Sequence, residues 1–133
     1  TETDLSSKTV SANVMGADGD FLIVLSGVTF AGNANTKRYR LYFGSTVIFD
    51  TGAVIFNNVN MLVVGYVYRR TSSVLSGVIG GLVSGGVLSS VSRPDAGGQS
   101  FTGTNTLKST GENGTASAGD ITQFGFIALK GSV

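Results

Sequence analysis

Nineteen consecutive residues from Ser73 to Val91, SVLSGVIGGLVSGGVLSSV, carry no charge and use only five residue types. An uncharged run of about this length is what a membrane-spanning helix requires, so its reading constrains the whole chain. Gly77, Gly80, Gly81, Gly85 and Gly86, with Ser73, Ser76, Ser84, Ser89 and Ser90, fill ten of the positions, and Val, Leu and Ile fill the other nine. Glycine costs about 1 kcal/mol at each interior helix position, and Val and Ile are also poor helix formers. The same letters suit strands broken by glycine, and one or two strands with glycine bends are expected here. The spacing Gly77, Gly81, Gly85 also matches the small-residue pattern of packed membrane helices, so an insertion segment is the rival reading.

With 133 residues the chain is expected to form one domain, residues 1–133, which buries roughly two thirds of its unfolded surface. It contains no Cys, His or Trp. That inventory removes disulfides, the usual zinc, copper and haem ligands, and the Ser-His-Asp and Cys-His catalytic arrangements. No cofactor and no metal are expected, and an enzyme would have to run on carboxylates, Lys, Tyr or Ser. Nine Lys plus Arg against eight Asp plus Glu leave no long-range field to draw nucleic acid or an acidic membrane. Charged residues make up 13% of the chain, about half the usual globular share. So thinly charged a surface favours association, and a large part of it is expected to lie against other subunits. Thr1 to Lys8 lacks the basic and apolar regions of a signal peptide and has no initiator Met, as a processed product would.

Helical patterning is nearly absent, whereas β-branched and aromatic runs bounded by Gly, Asn and Asp recur along the chain. Strands are expected at Lys8 to Val14, Phe21 to Phe30, Lys37 to Phe43, Thr46 to Phe49, Met61 to Arg70, within Ser73 to Val91, at Ser100 to Ser109 and at Asp120 to Lys130. Phe21 to Phe30 begins apolar on both faces, as a strand buried in mid-sandwich would. In Lys37 to Phe43 the alternation sends Arg38, Arg40 and Tyr42 one way and Tyr39, Leu41 and Phe43 the other. In Met61 to Arg70 both faces are apolar: Leu62, Val64, Tyr66 and Tyr68 oppose Met61, Val63, Gly65 and Val67, so one face packs in the core and the other meets a neighbour. Gly44-Ser45 reads as a two-residue hairpin, Asp50-Thr51-Gly52 as a turn, and Arg93 to Gly98 as a loop around the lone proline. The fold class is all-β, a single antiparallel β-sandwich, jelly-roll-like, with about eight strands.

The segment TFAGNANTKRYRLYFGSTVIFDTGA, from Thr29 to Ala53, followed by Asn57-Asn58 and by Tyr68-Arg69-Arg70-Thr71, resembles a family of tailed-phage virion proteins, small β-sandwich modules of heads and tails. The matching positions are Asn33, Asn35, Lys37, Arg38, Leu41 to Gly44, Asp50 to Gly52 and Arg69 to Thr71, about a third of the chain. The chain departs at Val59-Asn60-Met61, where the family often has an aromatic residue. The closing Phe124-Gly125-Phe126-Ile127-Ala128-Leu129 is similar to the last strand of trimeric jelly rolls of the tumour-necrosis-factor type. These resemblances imply a non-enzymatic structural role on the virion surface, as a homotrimer.

Few residues suggest chemistry. Asp18 and Asp20 flank Gly19 and offer oxygens of the kind Ca²⁺ takes, although a calcium loop needs more ligands than two and an Asx turn explains them as well. Asp50 with Glu112 or Asp120 would make a glycosidase couple only if folding set them about 5 to 9.5 Å apart. Gly16 to Gly19 and Gly97-Gly98 precede no helix and so are not phosphate loops. Asn113-Gly114-Thr115 fits the N-glycosylation pattern, which carries no meaning in a bacterial or phage setting. Arg38, Arg40, Arg69 and Arg70 form a basic patch if their strands are neighbours; subunit contact is the preferred role, beside Met61, Val63 and Val67 from the apolar strand, with phosphate or an acidic glycan as the other readings. Tyr39, Tyr42, Tyr66 and Tyr68 are the candidate glycan contacts, core or interface packing being the alternative.

The expected function is a phage capsid decoration, head-fibre or tail-associated protein at the virion surface, with the major capsid protein among its partners. The alternative is a carbohydrate-binding or host-receptor-binding adhesin that meets a surface glycan.

Overall fold

A computed structural model of the chain describes residues 2–12, 14–83, 87–115 and 117–131. Ten strands are present among them: β1 (Glu2–Val10), β2 (Phe21–Phe30), β3 (Lys37–Phe43), β4 (Thr46–Asp50), β5 (Val59–Thr71), β6 (Val74–Val83), β7 (Val87–Ser92), β8 (Asp95–Ala96), β9 (Asn105–Asn113) and β10 (Ile121–Gly131). They form two antiparallel sheets, one ordered β1-β9-β3-β4 and the other β10-β2-β5-β6-β7, with β8 paired to β6 beside β7. The chain crosses between sheets at β1 to β2, β2 to β3, β4 to β5, β8 to β9 and β9 to β10, so the two layers form an antiparallel β-sandwich.

The charge-free run is a hairpin. Val74–Val83 and Val87–Ser92 pair antiparallel, with Ser84, Gly85 and Gly86 outside the described residues. No helix of the described chain is long and apolar enough to cross a membrane. Two strands more than the expected eight arise because this run supplies two and because Asp95–Ala96, inside the expected loop, pairs with Leu75 and Ser76. Pro94 needs no amide there, and its carbonyl accepts the Gly77 N–H at 3.0 Å.

Strand alternation sets the core. From the smaller sheet come Val10, Tyr39, Leu41, Phe43, Ile48, Phe49 and Leu107, and from the larger Leu22, Val24, Val28, Phe30, Met61, Val63, Val67, Leu75, Ile79 and Phe126, all buried. The alternation expected for β3 holds, with Tyr39, Leu41 and Phe43 inward. β2 has the expected bounds but not the expected burial. Its even-numbered residues are buried while Ile23 is exposed and Leu25 half-buried, so only one face of the strand is covered.

Two strands lie away from where hydrophobic patterning puts them. β1 runs Glu2–Val10 rather than from Lys8 to Val14, and β9 runs Asn105–Asn113 rather than from Ser100 to Ser109. β1 is an edge strand with little apolar content, held to β9 by its ladder and by charged groups. β9 is central, so ladders on both sides draw Thr110 and Gly111 into buried strand positions despite a polar sequence.

Turns follow their residue chemistry. Gly44 has φ of 60°, as the first central residue of a II′ hairpin, and Gly52 has φ of 69° while its N–H donates to Asp50 Oδ1 at 2.8 Å.

Candidate assembly face

The four arginines do not form one patch. β3 and β5 lie in different sheets, so Arg38 and Arg40 are separated from Arg69 and Arg70 by the sandwich. Each finds a carboxylate of its own. Arg38 grips Asp50 through Nε and Nη2 at 2.8 and 2.6 Å, Arg69 Nε donates to Asp18 at 2.9 Å, and Arg70 Nη2 to Asp95 at 2.9 Å. Arg40 lies between three carboxylates, 2.8 Å from Glu2, 3.2 Å from Glu112 and 3.6 Å from Asp50. Asp50 and Glu112 therefore flank a guanidinium rather than an open cleft, and Asp120 lies elsewhere under Asn33 and Asn35. Asp18 is engaged by Arg69 and Asp20 accepts the Ala17 N–H, which closes the turn between them. Among the described residues no group of three or more Asp or Glu side chains is placed to hold a metal ion.

The Arg40 cluster ties β1 to its sheet. Thr110 Oγ1 donates to Glu2 Oε2 at 2.6 Å, and Tyr42 and Arg40 donate to the same oxygen. These bonds, Thr110's foremost, lower the Glu2 pKa to about 2, and the Arg38 guanidinium holds Asp50 below its usual value. Both carboxylates are depressed in the folded state; the Glu2 stabilisation is complete above about pH 4.5 and is lost as pH falls toward about 2, and that of Asp50 is likewise lost on acidification. The thermal midpoint, followed by circular dichroism, is expected to drop across that window, and to drop less steeply in Glu2→Gln.

The residues of the resemblance segment prove to be fasteners. Lys37 is fully buried, and its Nζ donates to Asn33 Oδ1 and Phe56 O, both at 2.8 Å, with Asn35 O at 3.1 Å and Asn33 O at 3.4 Å. Asn33 and Asn35 in turn donate to the two oxygens of Asp120, whose pKa is lowered chiefly by the Asn35 bond. This knot joins the β2–β3 loop, the β4–β5 loop and the start of β10.

Met61, Val63 and Val67 are 2%, 0% and 0% exposed and belong to the core, which corrects their expected place at a subunit contact. Of the two apolar faces of β5, the outward one is the other. Cross-strand rows there read Leu129, Ile23, Tyr66 and Val78, then Ile127, Leu25, Val64, Gly80 and Val91, then Gly125, Gly27, Leu62 and Leu82. Leu62, Val64, Tyr66, Val78, Val91, Ile127 and Leu129 are all exposed, and no charged residue occurs in these rows. Strand and residue spacings make the face roughly 15–20 Å on a side, a few hundred Å², which is the size of the largest apolar patch on a typical monomer, a patch that is often functional.

The tyrosines divide. Tyr39 is fully buried and hydrogen-bonded to Ser26 and Gln123, so it cannot reach a glycan; burial raises its pKa. Tyr42 lies on the opposite sheet, bonded to Glu2 with Lys108 over its ring. Tyr66 and Tyr68 stand together on the outer face, ring centroids 5.9 Å apart. On one side they wall an apolar hollow of about 560 Å³ with Gly19, Phe21 and Ile23, and on the other a polar hollow of about 290 Å³ that includes Arg70, Arg93 and Asp95.

No family model, no curated protein and no solved structure matches the chain.

Proposed function

We propose that the chain is a non-enzymatic structural protein that assembles as a homotrimer at a virion surface, as a capsid decoration, head-fibre or tail-associated module. The observation that supports assembly is the uncharged, exposed outer face of the six-stranded sheet. Left in water, such a face is an aggregation liability; covered by sister subunits, it supplies the apolar centre of an interface of about 800 Å² per partner. The virion setting comes from the resemblance of Thr29 to Thr71. Val64→Asp, at the centre of the face, is the test of assembly. The variant is expected to keep the wild-type circular dichroism spectrum and to sediment as a monomer, whereas unchanged sedimentation of an oligomer would remove this face from the interface.

A second reading rests on Tyr66 and Tyr68 beside Arg93 and Asp95. Paired aromatics next to charged groups, Tyr66 exposed and Tyr68 half-buried, are suited to a saccharide, which stacks on the rings and hydrogen-bonds at the rim. A glycan array separates the two. Binding that is lost in Tyr68→Ala supports the adhesin, and an array without hits on an oligomeric wild type supports the structural module.

A further inference from the structure

The outer face carries a projection at one end and a recess at the other. β10 pairs with β2 until the register slips between Gln123 and Gly125, so Phe124 is the extra residue of a β-bulge. Gln123 turns inward to Tyr39 and Ser26, and Phe124 stands outward beside Gly27, where a methyl group on that glycine would lie 3.9 Å from the Phe124 Cβ. Bulges re-aim side chains in this way. At 73% exposure, Phe124 is the most exposed large hydrophobic side chain of the described residues. The recess is the hollow lined by Gly19, Phe21, Ile23, Tyr66 and Tyr68. Four to six residues of β2 separate it from Gly27, about 13–20 Å along the strand, so Phe124 cannot reach the hollow of its own chain.

We infer that Phe124 of one copy seats in the tyrosine-walled hollow of the next. This rests on the reading of the outer face as an assembly surface. The hollow's volume of about 560 Å³ lies within the roughly 300–1,000 Å³ of pockets that take whole small molecules, so it admits a phenyl ring with its flanking residues. Its walls are aromatic and apolar, and a protruding Phe that enters a Tyr-lined pocket near the centre of a contact has the anatomy of a binding hot spot. Projection and recess lie apart on one face, so two copies meeting about a two-fold axis would exchange their Phe124 side chains reciprocally, whereas copies in a ring would each give Phe124 to one neighbour and receive another's. Heterologous contacts close into rings when the rotation permits; the trimer proposed above takes that ring form, and a solution mass near three protomers distinguishes it from the reciprocal two-fold dimer.

The test is photo-cross-linking with p-benzoylphenylalanine in place of Phe124, followed by peptide mapping, alongside the solution mass of wild type and Phe124→Ser. The expected adducts join two chains, between position 124 and residues 19–23 or 66–68. Phe124→Ser, an exposed site whose change leaves the fold intact, is expected to self-associate at least about 30-fold more weakly. Interchain adducts that map elsewhere, or a Phe124→Ser protein as tightly assembled as wild type, overturn the seating of Phe124 and leave the assembly face standing. A wild-type chain that is itself monomeric overturns both.

Discussion

Replacing Lys37 with methionine is expected to lower the unfolding free energy by about 3–5 kcal/mol, the usual cost of removing one member of a buried charged network. Methionine fills much of the same space, so the loss is electrostatic. Four oxygens, from Asn33, Asn35 and Phe56, lose a buried ammonium donor at once, and the side chain has no exposed surface through which water enters. Total stabilities of such domains are about 5–15 kcal/mol, so the variant loses a large share of its margin. Urea unfolding followed by fluorescence of the tyrosines measures the difference. Lys8→Met, on the exposed edge strand, is the control and should stay within about 0.5 kcal/mol of wild type. An equal midpoint for the Lys37 variant would mean that the knot with Asp120 does not hold the three segments together.

Gly65→Ala is expected to cost more than about 4 kcal/mol, or to leave the chain insoluble. A Cβ on Gly65 would collide with Val78 O and lie 2.5 Å from Ile79 Cα, and one on Gly77 would meet Tyr66 O and lie 2.9 Å from Val67 Cα. In both directions the obstacle is backbone of the paired strand, which cannot rotate away as a side chain can. Glycines at these two places let β5 and β6 approach where the sheet coils around the core, the usual meaning of glycine inside a strand. Gly97→Ala, with nothing within 4 Å, should be close to neutral in the same thermal-melting experiment.

Much of the architecture was legible in the residues. The exchange of helix formers for β-branched residues and glycine in Ser73 to Val91 marks one or two strands, of which the structure has two, paired, and β2 and β3 have the bounds that their patterning predicts. Where strands are held by their neighbours rather than by their own apolar alternation, sequence is a poor guide. Glu2–Val10 is polar on both faces and owes its place to ladder bonds and to Glu2, and Thr110 to Asn113 extends β9 only because strands flank it on both sides. The outward apolar face of β5 shows the same limit. β5 has two apolar faces, and nothing local to Met61, Val63 and Val67 distinguishes them from Leu62, Val64 and Tyr66; the opposite sheet decides which set is buried. The arginine patch failed for a related reason, since strand pairing is a long-range property. Lys37 carried a signal in its Asn33 and Asn35 neighbours, but Asp120, which accepts from both of those asparagines, lies 83 positions from Lys37 in sequence.

Light scattering on the purified, detergent-free chain tests the assembly account most directly. The account predicts a sharp solution mass near three times the protomer's 13.6 kDa that persists on dilution. A chain that stays at 13.6 kDa over the same range, with the apolar outer face of its larger sheet open to water, would contradict it.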